Sequence, residues 1–289
     1  MSEIQKIKYE IRIDGFESVY YFRHGKEFYH TPERHSSWEM LYVDRGAIIA
    51  ITDGIGCELS EGMVIFHEPG DLHAHISNRE VSNNMFVVTF TTSSPAMDFF
   101  KKKIFTLDKT SRMLLSLFMQ EARGALGEIQ GDYKNRHALS FDSEAEFGSV
   151  QLMASHLEEL FIKLIRSGGD RIHSSDESRR IAKNSTVESI EDYLRTNVYK
   201  SLDMSEICGR FHIGKSQLSL IFKECTGKSL MHYYAELKIE EAKRLLADNN
   251  LSVSEISDSL GYSGIHSFSR SFKKATGFSP TSYKESILL

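Results

Sequence analysis

Two hydrophobic periods divide the chain. Up to about residue 92, short runs rich in β-branched and aromatic residues are separated by turn signals such as Asp14-Gly15 and Pro69-Gly70. Such runs predict β-strands, and many short strands at this spacing favour a sandwich or a barrel. The runs are "IKYEIRI", "SVYYF", "WEMLYV", "GAIIAIT", "GMVIF" and "NMFVVTF".

From about residue 107 the pattern becomes helical. A helix is predicted for "SRMLLSLFMQEA" and a second for 148–167, where apolar residues are spaced by three and four. This seam covers about two heptads, too few to hold a coiled coil alone. The second helix therefore either covers the open face of the strands or pairs with another copy of the chain, and both interpretations stay open. The seam consists of Val150, Met153, Leu157, Leu160 and Leu164.

The segment that follows, "SGGDRIHSSDESRRIAKNS", is made of Gly, Ser and charged residues without an apolar period. That composition predicts a flexible linker, which we assign to residues 169–185.

Beyond the linker, one pattern occurs twice. The stretches "SEICGRFHIGKSQLSLIFKECTG" and "SEISDSLGYSGIHSFSRSFKKATG" align Ser205 with Ser254, but Phe222 with Phe272. The second copy therefore has one additional residue between these points. Connecting segments tolerate insertions better than helices do, so a turn is predicted near 212–216 and near 261–266.

Each copy predicts two short helices. Asp203-x-x-Glu206 and Ser252-x-x-Glu255 are capping boxes that would start the first helix, and a Thr-Gly pair can end the second in a left-handed cap. Apolar pairs four residues apart lie on both helices. Two short helices joined by a tight turn around one small core form a helix-turn-helix.

Charge distinguishes the second helix of each copy. The chain has a net charge of −5, yet from Thr186 onward basic and acidic residues are equal in number. No acidic residue occurs at 212–223 or 259–284, while Lys and Arg gather there. A solvated helix face usually mixes signs, a solenoid needs at least three repeats, and a protein-binding module would more often expose aromatic anchors. The pattern therefore predicts DNA recognition.

At residues 186–286 the chain resembles the AraC/XylS family of bacterial transcription regulators, most clearly in "SFSRSFKKATGFSPTSYK". The resemblance implies double-stranded DNA, RNA polymerase and a second copy of the chain as partners, activation of transcription, and a long helix at about 229–248 between the two units. It also assigns DNA contacts. Base edges would be contacted by Ser216, Ser219, Leu220, Ile265, His266 and Arg270, and phosphates by Lys215, Gln217, Lys223, Ser263, Ser267 and Lys273.

The N-terminal strands resemble a cupin barrel, which often serves as the ligand sensor in this family. His35-x3-Glu39-x6-Gly46 matches part of the first cupin motif, and "PGDLH" matches part of the second. Glu33 stands where metal-binding cupins have their first histidine. His35, Glu39 and His73 could hold Fe(II) or Mn(II), but the favoured interpretation is a pocket without metal or cofactor that binds a small effector, a sugar. The candidate ligand-binding residues are His35, Trp38, Glu39, His73 and His75, with Tyr42 and Phe66 as further stacking partners.

The predicted fold class is α+β multidomain: a cupin-like barrel (1–105), a helical dimerisation segment (106–168), the linker (169–185) and an all-α domain with two helix-turn-helix motifs (186–289). With no secretory signal pattern and no long apolar run, a cytoplasmic, non-enzymatic regulator is expected. Two alternatives are a metal-dependent cupin enzyme with an appended DNA-binding module, and a barrel that serves only for oligomerisation.

Overall fold

The computed structural model describes residues 5–127, 129, 131, 139–172, 175–248 and 250–287 of the 289. Parts of the predicted helical segment (128, 130 and 132–138) and of the linker (173–174) lie outside the described residues. Two compact units divide the chain, Met1–Ala182 and Lys183–Leu289. No helix among the described residues is long and apolar enough to span a membrane.

Antiparallel strands form the first part of the N-terminal unit. They make one six-stranded sheet in the order β1-β7-β2-β5-β8-β9 and one three-stranded sheet in the order β4-β3-β6. The strands are β1 (Gly15–His24), β2 (Trp38–Arg45), β3 (Ala47–Thr52), β4 (Ile55–Ser60), β5 (Met63–His67), β6 (His73–Ser77), β7 (Asn83–Thr91), β8 (Lys103–Thr106) and β9 (Asp170–Arg171), with a 3-10 turn at Pro95–Phe100.

The predicted β-rich N-terminal region and helical C-terminal region are confirmed, but a closed barrel is not, because the described strands pair as two separate sheets. One predicted strand is wrong. Residues 7–13 pair with no strand in the described structure, although Ile11 and Ile13 are buried in the core. Ile7 and Tyr9, at the same alternate positions, are exposed, so only the end of the run is buried, and alternation alone does not provide a neighbouring strand.

Alternation along β2 gives the six-stranded sheet two different faces. Met40 and Tyr42 belong to the core that includes the helices, whereas Leu41 and Val43 pack with Ile48 of the three-stranded sheet. Successive strand residues point to opposite sides, so Glu39 shares the side of Leu41, between the two sheets.

The helices of the N-terminal unit, α1 (Lys109–Leu126) and α2 (Ser149–Ser167), cover the other face of that sheet. Four residues of the predicted seam, from Met153 to Leu164, are fully buried against sheet residues such as Phe66 and Phe90. The seam is therefore used within the chain, which favours the covering interpretation of α2.

The predicted linker contains regular structure. β9 pairs with β8, and α3 (Asp176–Thr196) begins well before residue 185. Ile181 and Ala182 pack against Ile49 and Ile76 on the outer side of the three-stranded sheet. This contact is non-local, so the composition of the segment could not disclose it. The domain limits given above stay predictions.

The C-terminal unit continues from α3 with six further helices in the described residues: α4 (Met204–Phe211), α5 (Lys215–Thr226), α6 (Leu230–Asp248), α7 (Val253–Ser259), α8 (Ile265–Thr276) and α9 (Pro280–Ile287). Both predicted capping boxes are present, at the starts of α4 and α7. Gly227 and Gly277 end α5 and α8 with φ of 74° and 83°. Both predicted helix-turn-helix units are confirmed.

We predict that Leu157→Ala lowers the free energy of unfolding of the N-terminal unit by about 2–5 kcal/mol, because it leaves a cavity in a fully packed core. Urea denaturation followed by circular dichroism measures the change. Leu152→Ala on the same helix, at a side chain that is 44% exposed, is the matched control and should change stability little. Unchanged stability together with loss of a dimer would instead place the seam between two chains.

Candidate nucleic-acid interface and ligand-binding cluster

The first helix-turn-helix unit presents α5 with one buried and one exposed side. Leu218 and Phe222, four residues apart, lie in the core with Ile207 and Phe211 of α4. Leu220 is 58% exposed, on a side that the core leaves free. The predicted DNA-contacting residues Lys215, Ser216, Gln217, Leu220 and Lys223 are all exposed, and Ser219 is half-buried.

The second unit repeats this arrangement. Phe268 and Phe272 of α8 are fully buried with Ile256 and Leu260. The same periodicity that buries them leaves the other predicted residues outside. Ser263, Ile265, His266, Arg270 and Lys273 are exposed, and Ser267 is half-buried. The structure thus brings each predicted set together on one accessible surface, to which Ser263 belongs from the turn before α8.

The cations on these two surfaces pair with no acidic residue in the part of the chain that the structure describes. Lys223 and Arg270, like Lys215 and Lys273, form no salt bridge with a described residue, and the Arg270 Nε only bonds the His266 carbonyl one turn earlier at 3.3 Å. On α6, by contrast, Lys243 and Arg244 pair with glutamates at 2.6 and 2.7 Å. Cations without partners are available to an external anion, and phosphate contacts supply most of the affinity for DNA.

The additional residue of the second copy lies in the turn that joins the two helices of the helix-turn-helix unit. His212 and Gly261 occupy equivalent positions and both have a positive φ, of 53° and 65°. A Cβ on Gly261 would lie 3.1 Å from the backbone of Lys200 and Ser201, so this close approach also favours glycine. The extra residue falls in 262–264, inside the predicted turn.

α6 contributes to the cores of both helix-turn-helix units. Leu230 and Tyr234 lie in the first core, whereas Ile239, Ala242 and Leu246 lie in the second. The predicted connecting helix is confirmed, from Leu230 to Asp248. At 1.5 Å per residue it is about 28 Å long, of the same order as the roughly 34–36 Å between successive major grooves on one side of a duplex.

Lys238 lies where the two cores meet and was missed in the sequence. Its Nζ donates to the carbonyl of Lys200 at 2.6 Å and to that of Leu260 at 2.5 Å, and it lies over the rings of Tyr234 and Tyr262. Burial lowers the pKa of this ammonium to about 8. The sequence does contain a signal for a buried lysine. Lys238 is one of four positions spaced four residues apart on α6 (234, 238, 242, 246), and the other three are apolar or aromatic.

A cluster of histidines surrounds Glu39 between the two sheets. The Glu39 carboxylate is 1% exposed, and its oxygens lie 3.4 Å from His73 Nε2, 3.6 Å from His75 Nε2 and 3.5 Å from His35 Nε2. His67 joins the cluster through His75, with 3.1 Å between their Nε2 atoms. Four of the five predicted ligand-binding residues, His35, Glu39, His73 and His75, are therefore together.

Burial and charge oppose each other in this cluster. Burial raises the pKa of Glu39, but the charge of His73 and hydrogen bonding by His35 and His73 outweigh it, so the net pKa lies well below its usual range. Burial likewise lowers the pKa of His73, and the Glu39 carboxylate reverses this to a net rise. The pKa of His67 is well below its usual range, through burial and then through repulsion by His73 and His75. The cluster therefore favours the negative form of Glu39.

The structure corrects the position of Trp38. Trp38 is buried with Met40 in the core beneath the helices, on the opposite face of β2 from Glu39, because neighbours in a strand alternate. Tyr42 and Phe66 lie in that same core. None of the three can stack on a ligand at the cluster. His67, in turn, was missed because only strand register places it opposite Glu39.

Two helix-turn-helix units share one helix, and the cations on both second helices form no salt bridge within the described ranges. These features are typical of a DNA-binding class of protein. The family model described as "Helix-turn-helix domain" matches residues 207–286. Residues 207–286 are accordingly a helix-turn-helix domain of the AraC type, which confirms the resemblance at the level of this domain.

Curated relatives agree. The chain is 34% identical over 95 residues to the uncharacterized HTH-type transcriptional regulator YobQ of Bacillus subtilis, 33% of this chain and 39% of that protein. It is 31% identical over 112 residues to the raffinose operon transcriptional regulatory protein RafR of Pediococcus pentosaceus, 37% and 40% of the two chains. The HTH-type transcriptional activator RhaR of Mannheimia succiniciproducens is 22% identical over 263 residues, 88% and 87%. The chain thus matches well under half the length of the first two and most of the third. All three are named as transcriptional regulators or activators.

We predict a pH-dependent contribution of Lys238 to stability. Its pKa of about 8 in the folded state is below its ordinary value of 10.5, so the unfolded chain binds more protons between these values and stability must rise with pH there. The free energy of unfolding of the wild-type protein should rise relative to Lys238→Met by on the order of 1 kcal/mol from pH 8 to pH 10.

Denaturant titrations at the two pH values measure this difference. Lys243→Met, on the same helix but at a partly exposed lysine paired with Glu240, is the control and should show no such dependence. A wild-type advantage over Lys238→Met that stays constant with pH would contradict the lowered pKa.

Proposed function

We propose that the protein is a sequence-specific, DNA-binding transcriptional regulator in which α5 and α8 enter successive major grooves on one side of the duplex. The observation that carries this proposal is the pair of exposed helix surfaces whose cations have no acidic partner among the described residues. Both surfaces are attached to one helix, so a single duplex can engage them together.

In this proposal, each surface contributes residues that contact base edges and residues that contact phosphates. Arg270 projects from α8 and can donate two hydrogen bonds to O6 and N7 of guanine. Leu220 can contact only an apolar group such as the methyl of thymine, and Ser216, Ser219, Ile265 and His266 complete the base contacts. Lys215, Gln217, Lys223, Ser263, Ser267 and Lys273 contact phosphates and fix the register of the protein on DNA.

The N-terminal unit is the sensor in this proposal and binds a small polar metabolite, of which a sugar is the first candidate. Buried imidazoles and a carboxylate provide hydrogen-bonding groups for hydroxyls, and RafR is named for a raffinose operon. The displacement of Trp38, Tyr42 and Phe66 to the other face removes ring stacking as a support. A ligand regulates DNA binding only if it binds one arrangement of the protein more tightly than another.

The proposal further includes a homodimer, activation of transcription and contact with RNA polymerase. RhaR is named a transcriptional activator. Because the apolar seam of α2 is covered within the chain, a dimer would have to use another surface of the N-terminal unit.

We predict that Arg270→Ala and Lys223→Ala weaken DNA binding in different ways. Duplexes selected from a random pool by the wild-type protein provide the target. Arg270→Ala should cost about 1–3 kcal/mol and relax the preference at one base pair, whereas Lys223→Ala should weaken all sequences alike and reduce the salt slope by about one.

Affinities for the target and for every single-base variant, each at several salt concentrations, separate the two effects. Lys243→Ala, on α6 away from both recognition helices, is the control and should bind like the wild type. An equal loss on every sequence for Arg270→Ala would exclude it as a base-reading residue, and loss of no affinity in either variant would contradict the proposed interface.

A further inference from the structure

The Glu39 cluster contains buried acceptor atoms that face one another. Glu39 Oε1 and the Nε2 atoms of His35 and His73 have no hydrogen-bonding partner of good geometry among the described residues. Glu39 and His73 are each only 1% exposed, so bulk water cannot readily hydrogen-bond to their side chains. Leaving a buried polar atom without a hydrogen bond lowers the stability of the folded protein by about 1–3 kcal/mol. Three such atoms in one place indicate a site for a ligand that would satisfy them.

The other ring nitrogens determine which atoms have lone pairs. His35 Nδ1 lies 3.0 Å from the carbonyl of Ser37, and His73 Nδ1 lies 3.2 Å from that of Asp71. A carbonyl only accepts, so each Nδ1 carries a hydrogen. When the ring is neutral, its Nε2 therefore has the lone pair, and that atom lies nearest Glu39. Histidines that bind metals are held in this way, with the second nitrogen donating to a carbonyl or carboxylate.

The distances fit a shared cation at the centre better than direct hydrogen bonds. Glu39 Oε2 lies 3.5 Å from His35 Nε2, and Glu39 Oε1 lies 3.4 Å from His73 Nε2. Both separations exceed the usual 2.7–3.2 Å or so of a hydrogen bond. Ligand atoms at about 2.0–2.1 Å from a tetrahedral metal ion lie roughly 3.3 Å apart.

Two overlapping sets of ligands surround Glu39. Glu33, His35, Glu39 and His73 offer ligand atoms that all lie within 4.8 Å of one another, as do Glu39, His67 and His75. In the second set the Nε2 atoms of His67 and His75 are 3.1 Å apart, at hydrogen-bonding distance. One of these two nitrogens therefore already accepts a hydrogen bond from the other. The first set keeps both imidazole lone pairs available.

We infer that the N-terminal unit binds one divalent first-row transition-metal ion through Glu33, His35, Glu39 and His73. Two imidazoles and two carboxylates, without sulfur, suit Zn²⁺ and its neighbours in the series. Glu33 supplies an oxygen ligand where a metal-binding cupin has histidine, so the departure seen in the sequence does not remove the site. The inference deepens the proposed function, on which its regulatory meaning rests, by making the ion part of the sensor site.

The test uses the full chain without a polyhistidine tag, stripped with chelator and then titrated with Zn²⁺ or Co²⁺ alone. Calorimetry and elemental analysis should give one ion per chain, and bound Co²⁺ should add visible absorption. Glu39→Gln should weaken binding by at least about 100-fold, as should His35→Asn, whose partly exposed ring can be replaced without opening the core.

His67→Gln should retain the ion, and so should His232→Gln, which changes an exposed histidine of the C-terminal unit. If Glu39→Gln is unfolded by circular dichroism, His35→Asn decides. Substoichiometric binding by the wild type, or loss of the ion in His67→Gln but not in His35→Asn, would overturn the assignment. DNA affinity measured without metal separates this outcome from failure of the proposed function, because the recognition helices lie in the other unit.

Discussion

The helix α6 sets the constraint on which the DNA-binding unit depends, since its buried side is divided between two cores. Leu230 and Tyr234 complete the first, and Ile239, Ala242 and Leu246 complete the second. Neither small helix-turn-helix core is complete without its part of α6. Lys238 sits at the boundary, where its ammonium bonds one carbonyl after α3 and another at the end of α7. The two recognition helices are therefore fixed relative to each other by shared packing and by a buried, hydrogen-bonded cation.

In the N-terminal unit, the alternation of side chains along β2 divides one strand between two environments. β2 directs Met40 and Tyr42 towards the helices and Glu39 towards the other sheet. The apolar face supplies the stability of the unit, while the opposite side collects histidines from β5 and β6 around one carboxylate. A polar site can exist at this depth because its groups are satisfied mutually or by a bound ligand, whereas isolated buried charges are costly.

Much of the C-terminal unit could be predicted from the sequence because its determinants are local. Capping boxes, apolar pairs four residues apart and terminal glycines act within one or two helical turns, and all were found where expected. The exposed sides of α5 and α8 then followed from periodicity. The additional residue in the second copy identified the turn for the same reason.

Sequence reasoning failed where contacts between distant segments decide the structure. Ile181 and Ala182 order part of the predicted linker by packing on β3 and β6. Trp38 was assigned to the ligand-binding site from its neighbours in sequence, but it lies on the opposite face of β2. His67 acts through strand register, which has no local signature. Lys238 acts where two cores meet, and its one sequence signal is its place in the buried four-residue spacing of α6.

α6 holds the two recognition helices at one fixed spacing. The most direct measurement is affinity for duplexes in which the two selected half-sites are separated by about one helical turn or by about five base pairs more. Binding should be tight at one turn and at least about tenfold weaker when the added half turn places the second half-site on the opposite side of the DNA. Equal affinity for both duplexes would contradict it.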